Sequence, residues 1–457
     1  MLIRIKRLKL SDLILKRRGT LVFRLILAAF GIALRLFFRR IETVNADVVP
    51  KGTGVIFVLN HPNGLVDPAL VFVALPRKIS FLAKSTLFRM PVISFLLKTV
   101  EALPLYRRID PGEDVSKNQK TFEACRELLQ GGGSIALFPE GVSHNSPKLL
   151  PAKTGAARIA LGAVSVAGGE SFDLRIVPVG LFYTNKTTFR SEALLHFGGP
   201  FRVDPVELDA DGEPVRAAVR DLTVRIEMAL REVTLNAETD ADLQTARKAE
   251  EIFASAEANE NLGEKLEFLK SFVAGGPDSG DLKATGLKRR VIEYDRKLDE
   301  FGIEPEHLSL AQFSRGSVVR QAILQIWPLI VLSPLAVVGA IVHWPAYRLC
   351  GVVADRFSKH GADDVASTVK VLAGMVFIPL TWLITAGAVF YFAGWEWAIA
   401  SLPVSMLCGY VALFSQEEIL ELRGWANAIR LFFTRRDAFL RMFVERRELQ
   451  RRLQAFD

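Results

Sequence analysis

Asn60-His61-Pro62-Asn63-Gly64-Leu65-Val66-Asp67-Pro68 follows directly on Gly54-Val55-Ile56-Phe57-Val58-Leu59, and the junction between the two decides the fold. The apolar run is short enough to be a buried strand. Pro62, Asn63 and Gly64 break it with a turn. Asp67-Pro68 then reads as a helix start, with Asp at the N-cap and Pro at the first helical position. A strand-turn-helix junction carrying one His and one Asp can build a general base, because an imidazole needs a carboxylate to fix its tautomer and stabilise its charged form. Five residues intervene, so a continuous helix would place the two on different faces and only the turn can bring them together. The plainer arrangement has His61 on a backbone carbonyl and Asp67 as a cap alone.

Working outward, strand-like and helix-like segments alternate. Ile79-Ser80-Phe81-Leu82-Ala83 and Ser134-Ile135-Ala136-Leu137 suit strands, and Leu87 to Leu97 is amphipathic. Lys117 to Gln130 has helical periodicity and stops at Gly131-Gly132-Gly133. Thr154 to Ala167, small and apolar, predicts a further helix just after Lys153, and Ile176-Val177-Pro178-Val179-Gly180 a further strand. Such alternation implies an α/β sheet with helices on its faces, whose loops at one edge would gather His61, Arg107 and Glu140.

The strand at Ser134 to Leu137 runs into Phe138-Pro139-Glu140-Gly141-Val142-Ser143-His144. Together with Asn60-His61…Asp67 this resembles the glycerolipid acyltransferase superfamily, which carries a His…Asp motif and a Phe-Pro-Glu-Gly motif in that order. The family's intervening basic motif matches Leu103-Pro104-Leu105-Tyr106-Arg107, and its fourth, a strand with Pro, matches Ile176 to Gly180. The resemblance covers roughly residues 50 to 200. Bacterial lysophosphatidate enzymes usually read His-x4-Asp and Phe-Pro-Glu-Gly-Thr-Arg-Ser. The five-residue spacing and the Val142-Ser143-His144 ending look instead like the fungal-type glycerol-3-phosphate/dihydroxyacetone-phosphate acyltransferases. So do Leu149-Leu150-Pro151-Ala152-Lys153-Thr154-Gly155 and the weaker echo Arg231 to Ala237.

The resemblance implies direct transfer of a fatty acyl chain from acyl-CoA, or acyl carrier protein, to glycerol-3-phosphate or dihydroxyacetone phosphate, with lysophosphatidate as the alternative acceptor. His61 is then the general base and Asp67 its orienting carboxylate. Arg107 holds the substrate phosphate, where a bidentate fork is favoured, and Arg108 and Lys153 assist. Glu140 and Gly141 shape the acceptor site. No cofactor beyond acyl-CoA as co-substrate is expected, and no metal, because Cys125, Cys350 and Cys408 are too few and too scattered. Two other classes compete. A lipid hydrolase using Ser143 would need a nucleophile elbow that does not surround it. A non-enzymatic membrane scaffold has no need of His61, Asp67, Arg107 and Glu140 together.

Composition agrees with a membrane enzyme. Half of the 457 residues are hydrophobic, yet 24% are charged, which suits membrane segments joined to a soluble part. The net charge of +8 is concentrated at the front, where Lys and Arg far outnumber Asp12 and Glu42, a surplus suited to anionic lipid headgroups. No motif for nucleic acid accompanies it. Thr20 to Phe38 is apolar with Arg24 and Arg35 inside and basic flanks on both sides, so residues 1–44 read as an interfacial segment with snorkelling arginines. The α/β acyltransferase domain is expected over 45–204 and a charged helical region, a spacer or lid, over 205–320. A membrane region follows over 321–414, and a basic amphipathic tail over 415–457. Within the membrane region Val371 to Ala393 and Trp397 to Phe414 suit a two-helix hairpin. Ile323 to Val342, interrupted by Pro328 and Pro334, suits a re-entrant segment. The catalytic domain and the Arg-rich tail would then both face the cytoplasm.

Overall fold

A computed structural model describes residues 5–7, 20–75, 77–89, 91–107, 110, 112–166, 172–186, 188–253, 261–275, 282–305, 308, 315–358 and 366–454. The chain divides into two compact units, one of residues 1–236 and 358–371, the other of 237–357 and 372–457.

The first unit is built on a nine-stranded mixed sheet among the described residues, ordered β1-β2-β8-β7-β3-β6-β4-β5 with β9 beside β7. The strands are β1 Ile5–Arg7, β2 Phe38–Val44, β3 Gly54–Leu59, β4 Ser80–Lys84, β5 Leu103–Leu105, β6 Ser134–Leu137, β7 Leu174–Tyr183, β8 Ser191–Phe197 and β9 Phe201–Arg202. Strand β3, buried along its whole length, lies between β6 and β7 and is parallel to both. A strand buried on both faces reads as a continuous apolar run, which is the pattern of Gly54 to Leu59. The helices are α1 Leu21–Phe37, α2 Val66–Ala74, α3 Pro91–Thr99, α4 Asn118–Gln130, α5 Gly155–Val166 and α6 Arg216–Val233. Ile56, Val58, Ile135 and Ile176 of the sheet pack with Cys125, Leu129, Ile159, Ile226 and Leu230 of α4, α5 and α6.

Two expected boundaries move. The sheet reaches across residue 44, since β2 pairs in parallel with β8. Its charges hid it. Arg39 and Arg40 each donate to Glu192 at 3.2 Å, so a strand that looks too polar for a sheet finds its counter-charge on the next one. The sheet unit also extends past residue 204, because α6 turns Val219, Leu222, Ile226, Leu230 and Val233 onto the core. Gly180 makes this possible. A Cβ there would lie 1.9 Å from the Val233 carbonyl oxygen, so only glycine lets the end of α6 meet the strand.

Helix α1 is capped by Thr20, whose hydroxyl accepts from Phe23 N–H at 3.2 Å. One stripe, Phe23, Leu27, Leu34 and Phe37, is buried, with Phe23 edge-on to Phe72 of α2. The opposite stripe is apolar and uncovered: Leu21 is 67% exposed, Leu25 60% and Ile32 47%. The helix is thus apolar on two sides and carries Arg24 and Arg35.

The second unit holds α7 Asp240–Phe253, α8 Leu262–Ala274, α9 Leu282–Phe301, α10 Arg315–Ser358, α11 Ala366–Ala393, α12 Trp395–Thr434 and α13 Arg436–Leu453. Within the charged region expected over 205–320, the stretch from 238 to 269 holds α7 and the start of α8, and residues 276–281 lie outside the described residues. Ile326–Arg356, Val369–Ala393 and Trp395–Gln416 are long and apolar enough to cross a membrane. The re-entrant reading of Ile323 to Val342 is corrected. That segment lies inside the unbroken helix α10, with Pro328, Pro334 and Pro345 all internal, and a re-entrant dip requires a reversal the helix does not make.

The basic tail ends in helix α13. It buries Phe439, Met442, Leu449 and Leu453 within its own unit. It docks on α7 and α9: Tyr294 donates to the Met442 carbonyl at 3.2 Å, Lys297 pairs with Glu445 at 2.8 Å and Arg290 with Glu448 at 3.0 Å. Gln450 reaches the Ile252 carbonyl at 3.1 Å. An amphipathic pattern fixes that a stripe is covered without saying by what.

Candidate active site

The turn after β3 is locked to β7 by Asn60, whose side chain accepts from Leu181 N–H at 2.7 Å and donates to the Leu181 carbonyl at 3.0 Å. The chain then doubles back through Pro62, Asn63 and Gly64 into α2. Asp67 is not the N-cap. The helix begins at Val66, and Asp67 sits in its first turn with its carboxylate reaching backward. There it accepts Asn63 N–H at 2.7 Å and the His61 ring nitrogen Nδ1 at 2.8 Å, both on Oδ2. The spacing of five therefore brings base and carboxylate together through the turn.

Asp67 has no solvent exposure and His61 is 17% exposed at its side chain. A carboxylate accepts only, so the proton of the neutral imidazole lies on Nδ1 and Nε2 keeps its lone pair. The ring is held flat against Phe138, centroids 4.1 Å apart and planes 16° from parallel. A buried carboxylate, a fixed tautomer and a stacked ring together make a base that can take a proton from a hydroxyl. The second oxygen of Asp67 is bound by Tyr183, whose hydroxyl donates to Oδ1 at 2.5 Å. Burial, and then the charge of Asp67, push the Tyr183 hydroxyl well above the ordinary phenol range, so it stays a donor.

Glu140 is placed differently from the expectation. It is buried, and its oxygens are taken by His61 N–H at 2.8 Å, Leu150 N–H at 2.8 Å and His144 Nε2. It is a tie beam joining the His61 turn to the Leu149-Leu150 loop, not a carboxylate open to an acceptor. His144 completes the tie. Its Nδ1 accepts Ser146 N–H at 3.1 Å, and its backbone N–H bonds to the His61 carbonyl at 3.2 Å.

Arg107 reaches the same turn from β5. Its fork is occupied by Asp110, Nε and one terminal nitrogen each at 3.0 Å, and the other terminal nitrogen donates to the Gly141 carbonyl at 2.8 Å. Among the described residues these bonds use three of its five donors. Lys84 Nζ lies 3.2 Å from Asp110 Oδ1, the oxygen that also takes a terminal nitrogen of Arg107. The Arg107 hydrogen bond, helped by Lys84, holds Asp110 below the usual carboxylate range in spite of desolvation. Arg108 lies outside the described residues.

Gly141 has φ of 71°, and a Cβ there would fall 2.5 Å from Lys153 Nζ. The Lys153 side chain therefore lies over the glycine, and the backbone N–H of Lys153 donates to the Pro139 carbonyl at 2.8 Å. Gly141→Ala is expected to displace Lys153 and to cost roughly 1–3 kcal/mol for the left-handed backbone. A thermal unfolding midpoint and acceptor KM both equal to wild type would show that neither constraint matters. Lys84 and Arg107 meet at Asp110, and Arg107 and Lys153 meet at Gly141, so three cations line the turn that carries Phe138 and Glu140. Sequence reasoning missed Tyr183, Asp110 and the part played by His144. Only His144 left a signal, four residues after Glu140.

Family models match two stretches, Acyltransferase over residues 40–181 and Glycerol-3-phosphate acyltransferase 2 C-terminal domain over 247–456. The chain is 28% identical to "Glycerol-3-phosphate O-acyltransferase 2" of Saccharomyces cerevisiae, over 58% of this chain and 37% of that one. It is 27% identical to "Glycerol-3-phosphate O-acyltransferase 1" of the same yeast, over 78% and 59%. A chloroplastic 1-acyl-sn-glycerol-3-phosphate acyltransferase of Brassica napus matches at 30% identity over 32% and 38%. The chain thus spans about two fifths to three fifths of the length of the yeast relatives. A solved 1-acyl-sn-glycerophosphate acyltransferase from Thermotoga maritima overlays with a TM-score of 0.33 at 21% identity, covering 46% of this chain and 78% of that one. The α/β assignment rests on the sheet itself.

Proposed function

From a chain that carries an acyltransferase-family domain ahead of a glycerol-3-phosphate acyltransferase 2 C-terminal domain, we propose a membrane-bound O-acyltransferase that moves a fatty acyl chain from acyl-CoA to glycerol-3-phosphate or dihydroxyacetone phosphate. The observation that carries the proposal is the His61–Asp67 pair, with Nε2 of His61 left as a base, one turn away from the cluster of Lys84, Arg107 and Lys153. His61 takes the proton of the acceptor hydroxyl as its oxygen attacks the thioester carbonyl. The bond to sulfur breaks, the thiolate leaves as CoA, and the proton on the imidazolium returns to it. Asp67 carries the opposing charge throughout. The basic cluster takes the acceptor's phosphate, and the three apolar helices hold the enzyme in the bilayer where the product belongs.

An acceptor panel tests this reading. Glycerol-3-phosphate, dihydroxyacetone phosphate and lysophosphatidate are each offered with labelled acyl-CoA, and acceptor-dependent CoA release is measured. Transfer to lysophosphatidate alone would favour the second acylation of the glycerol backbone. CoA release indifferent to acceptor would mean hydrolysis, and none would mean a scaffold.

Arg107→Ala is expected to raise the acceptor KM, with the donor KM nearly unchanged, since a charge-assisted hydrogen bond contributes roughly 1.5–3 kcal/mol. Arg107→Lys should recover only part, because an ammonium cannot reproduce the fork. Equal rises in both KM values would reduce Arg107 to a prop between Asp110 and Gly141.

A further inference from the structure

Tyr183 stands at the end of β7, 116 residues from Asp67, and belongs to none of the motifs. Its hydroxyl donates to Asp67 Oδ1 at 2.5 Å, while Oδ2 takes Asn63 N–H and His61 Nδ1. A carboxylate wholly withdrawn from water keeps its charge only where donors replace the solvent. Two of these donors come from the junction that bears the base. The third comes from the neighbouring strand and is itself held in place: the Tyr183 ring is 5% exposed and stacks on Phe38, with centroids 5.5 Å apart and planes at 25°.

We infer that Tyr183 is a positioning residue for acyl transfer, its hydroxyl fixing the Asp67 carboxylate in the one orientation that aims His61 at the acceptor. The inference rests on the general-base reading of His61. The hydrogen bond also draws negative charge off the carboxylate, which moderates its hold on the imidazolium. Other polar groups around His61 act on its backbone or its turn. Glu140 accepts its N–H, His144 donates to its carbonyl, and Lys186 donates to the Pro62 carbonyl. Asp67 is the charged group bonded to the ring, and Tyr183 reaches the ring only through it.

Removing the hydroxyl therefore has two separable effects. The carboxylate is less well fixed, so kcat falls. Its charge is no longer shared, so the imidazolium gives up its proton less readily and the acid limb of kcat/KM moves to higher pH. The test uses the full chain in phosphatidylcholine vesicles with glycerol-3-phosphate and palmitoyl-CoA, comparing Tyr183→Phe, His61→Ala and the double variant. Tyr183→Phe is expected to lose roughly tenfold or more in kcat, the value of one hydrogen bond to a charged group. Both KM values should hold within about twofold, and the limb should rise by roughly half a pH unit. In the His61→Ala background the same change should cost nothing further. Wild-type kcat and limb in Tyr183→Phe beside an inactive His61→Ala would overturn the inference alone. So would a lower kcat with an unmoved limb, or losses that multiply in the double variant. Full transfer by His61→Ala would instead sink the general-base reading, and the inference with it.

Discussion

His61→Ala should retain its fold and lose transfer by about 10²–10⁴-fold in kcat, the range contributed by a positioned general base. The fold should survive because the side chain sits on the turn, partly exposed, and β3, Asn60 and α2 do not depend on it. Asp67→Asn should come close to the same loss for a different reason. An amide at that position can offer its N–H to Nδ1, which would place the remaining imidazole proton on Nε2 and leave no lone pair for the acceptor. Both variants are compared with wild type by acceptor-dependent CoA release from full-length protein in lipid, with unfolding midpoints alongside. Turnover by His61→Ala within a few-fold of wild type would remove the proposed mechanism.

The second large effect is all-or-none. Helices α7 and α9 precede the apolar helices and α13 follows them, yet they pack on one another through Tyr294, Lys297, Arg446 and Gln450. Segments in contact lie on one side of any membrane, so the number of full crossings between Phe301 and Arg436 is even. Among the described residues three helices are apolar enough to cross, and an even number of crossings is the expected result. We expect the pair on either side of Gly394, α11 and α12, to cross. A cysteine at Glu396 should then react with an impermeant maleimide added to sealed cells. Cysteines at Arg289 and Arg452, both exposed, should both be silent until the membrane is opened. Labelling of Arg452 without Arg289 would contradict the packing of α13 on α9. Labelling of both from outside would place the unit opposite to the cytosolic source of acyl-CoA.

The strand, turn and helix around His61 were legible because each rests on local chemistry: an apolar run, a Pro-Asn-Gly break, an acidic first helical turn. The alternation from Ser80 to Gly180 was legible for the same reason. What stayed hidden depends on contacts distant in sequence. Phe38 to Val44 looks polar until Glu192 is beside it. Tyr183 is an ordinary strand residue until β7 lies next to β3. Glu140 has the chemistry to bind a hydroxyl, and nothing local says that three donors from its surroundings will claim it first. The tail's stripe is visible in sequence, but its partner is not.

That partner has a bearing on biosynthesis. About 150 residues separate the end of α9 from the end of α13, and all three apolar helices lie between them. At roughly 5–20 residues per second, α7 and α9 wait on the order of ten seconds for the helix that covers Tyr294 and caps Ile252. During that interval the ribosome is handing hydrophobic segments to the insertion machinery while an unfinished bundle stands exposed beside it. With an even number of crossings, closure of the bundle would report that insertion has ended with the right parity, because a chain with one crossing too many would strand α13 across the bilayer from its seat. Such a chain would leave the α13 face of α7 and α9 uncovered.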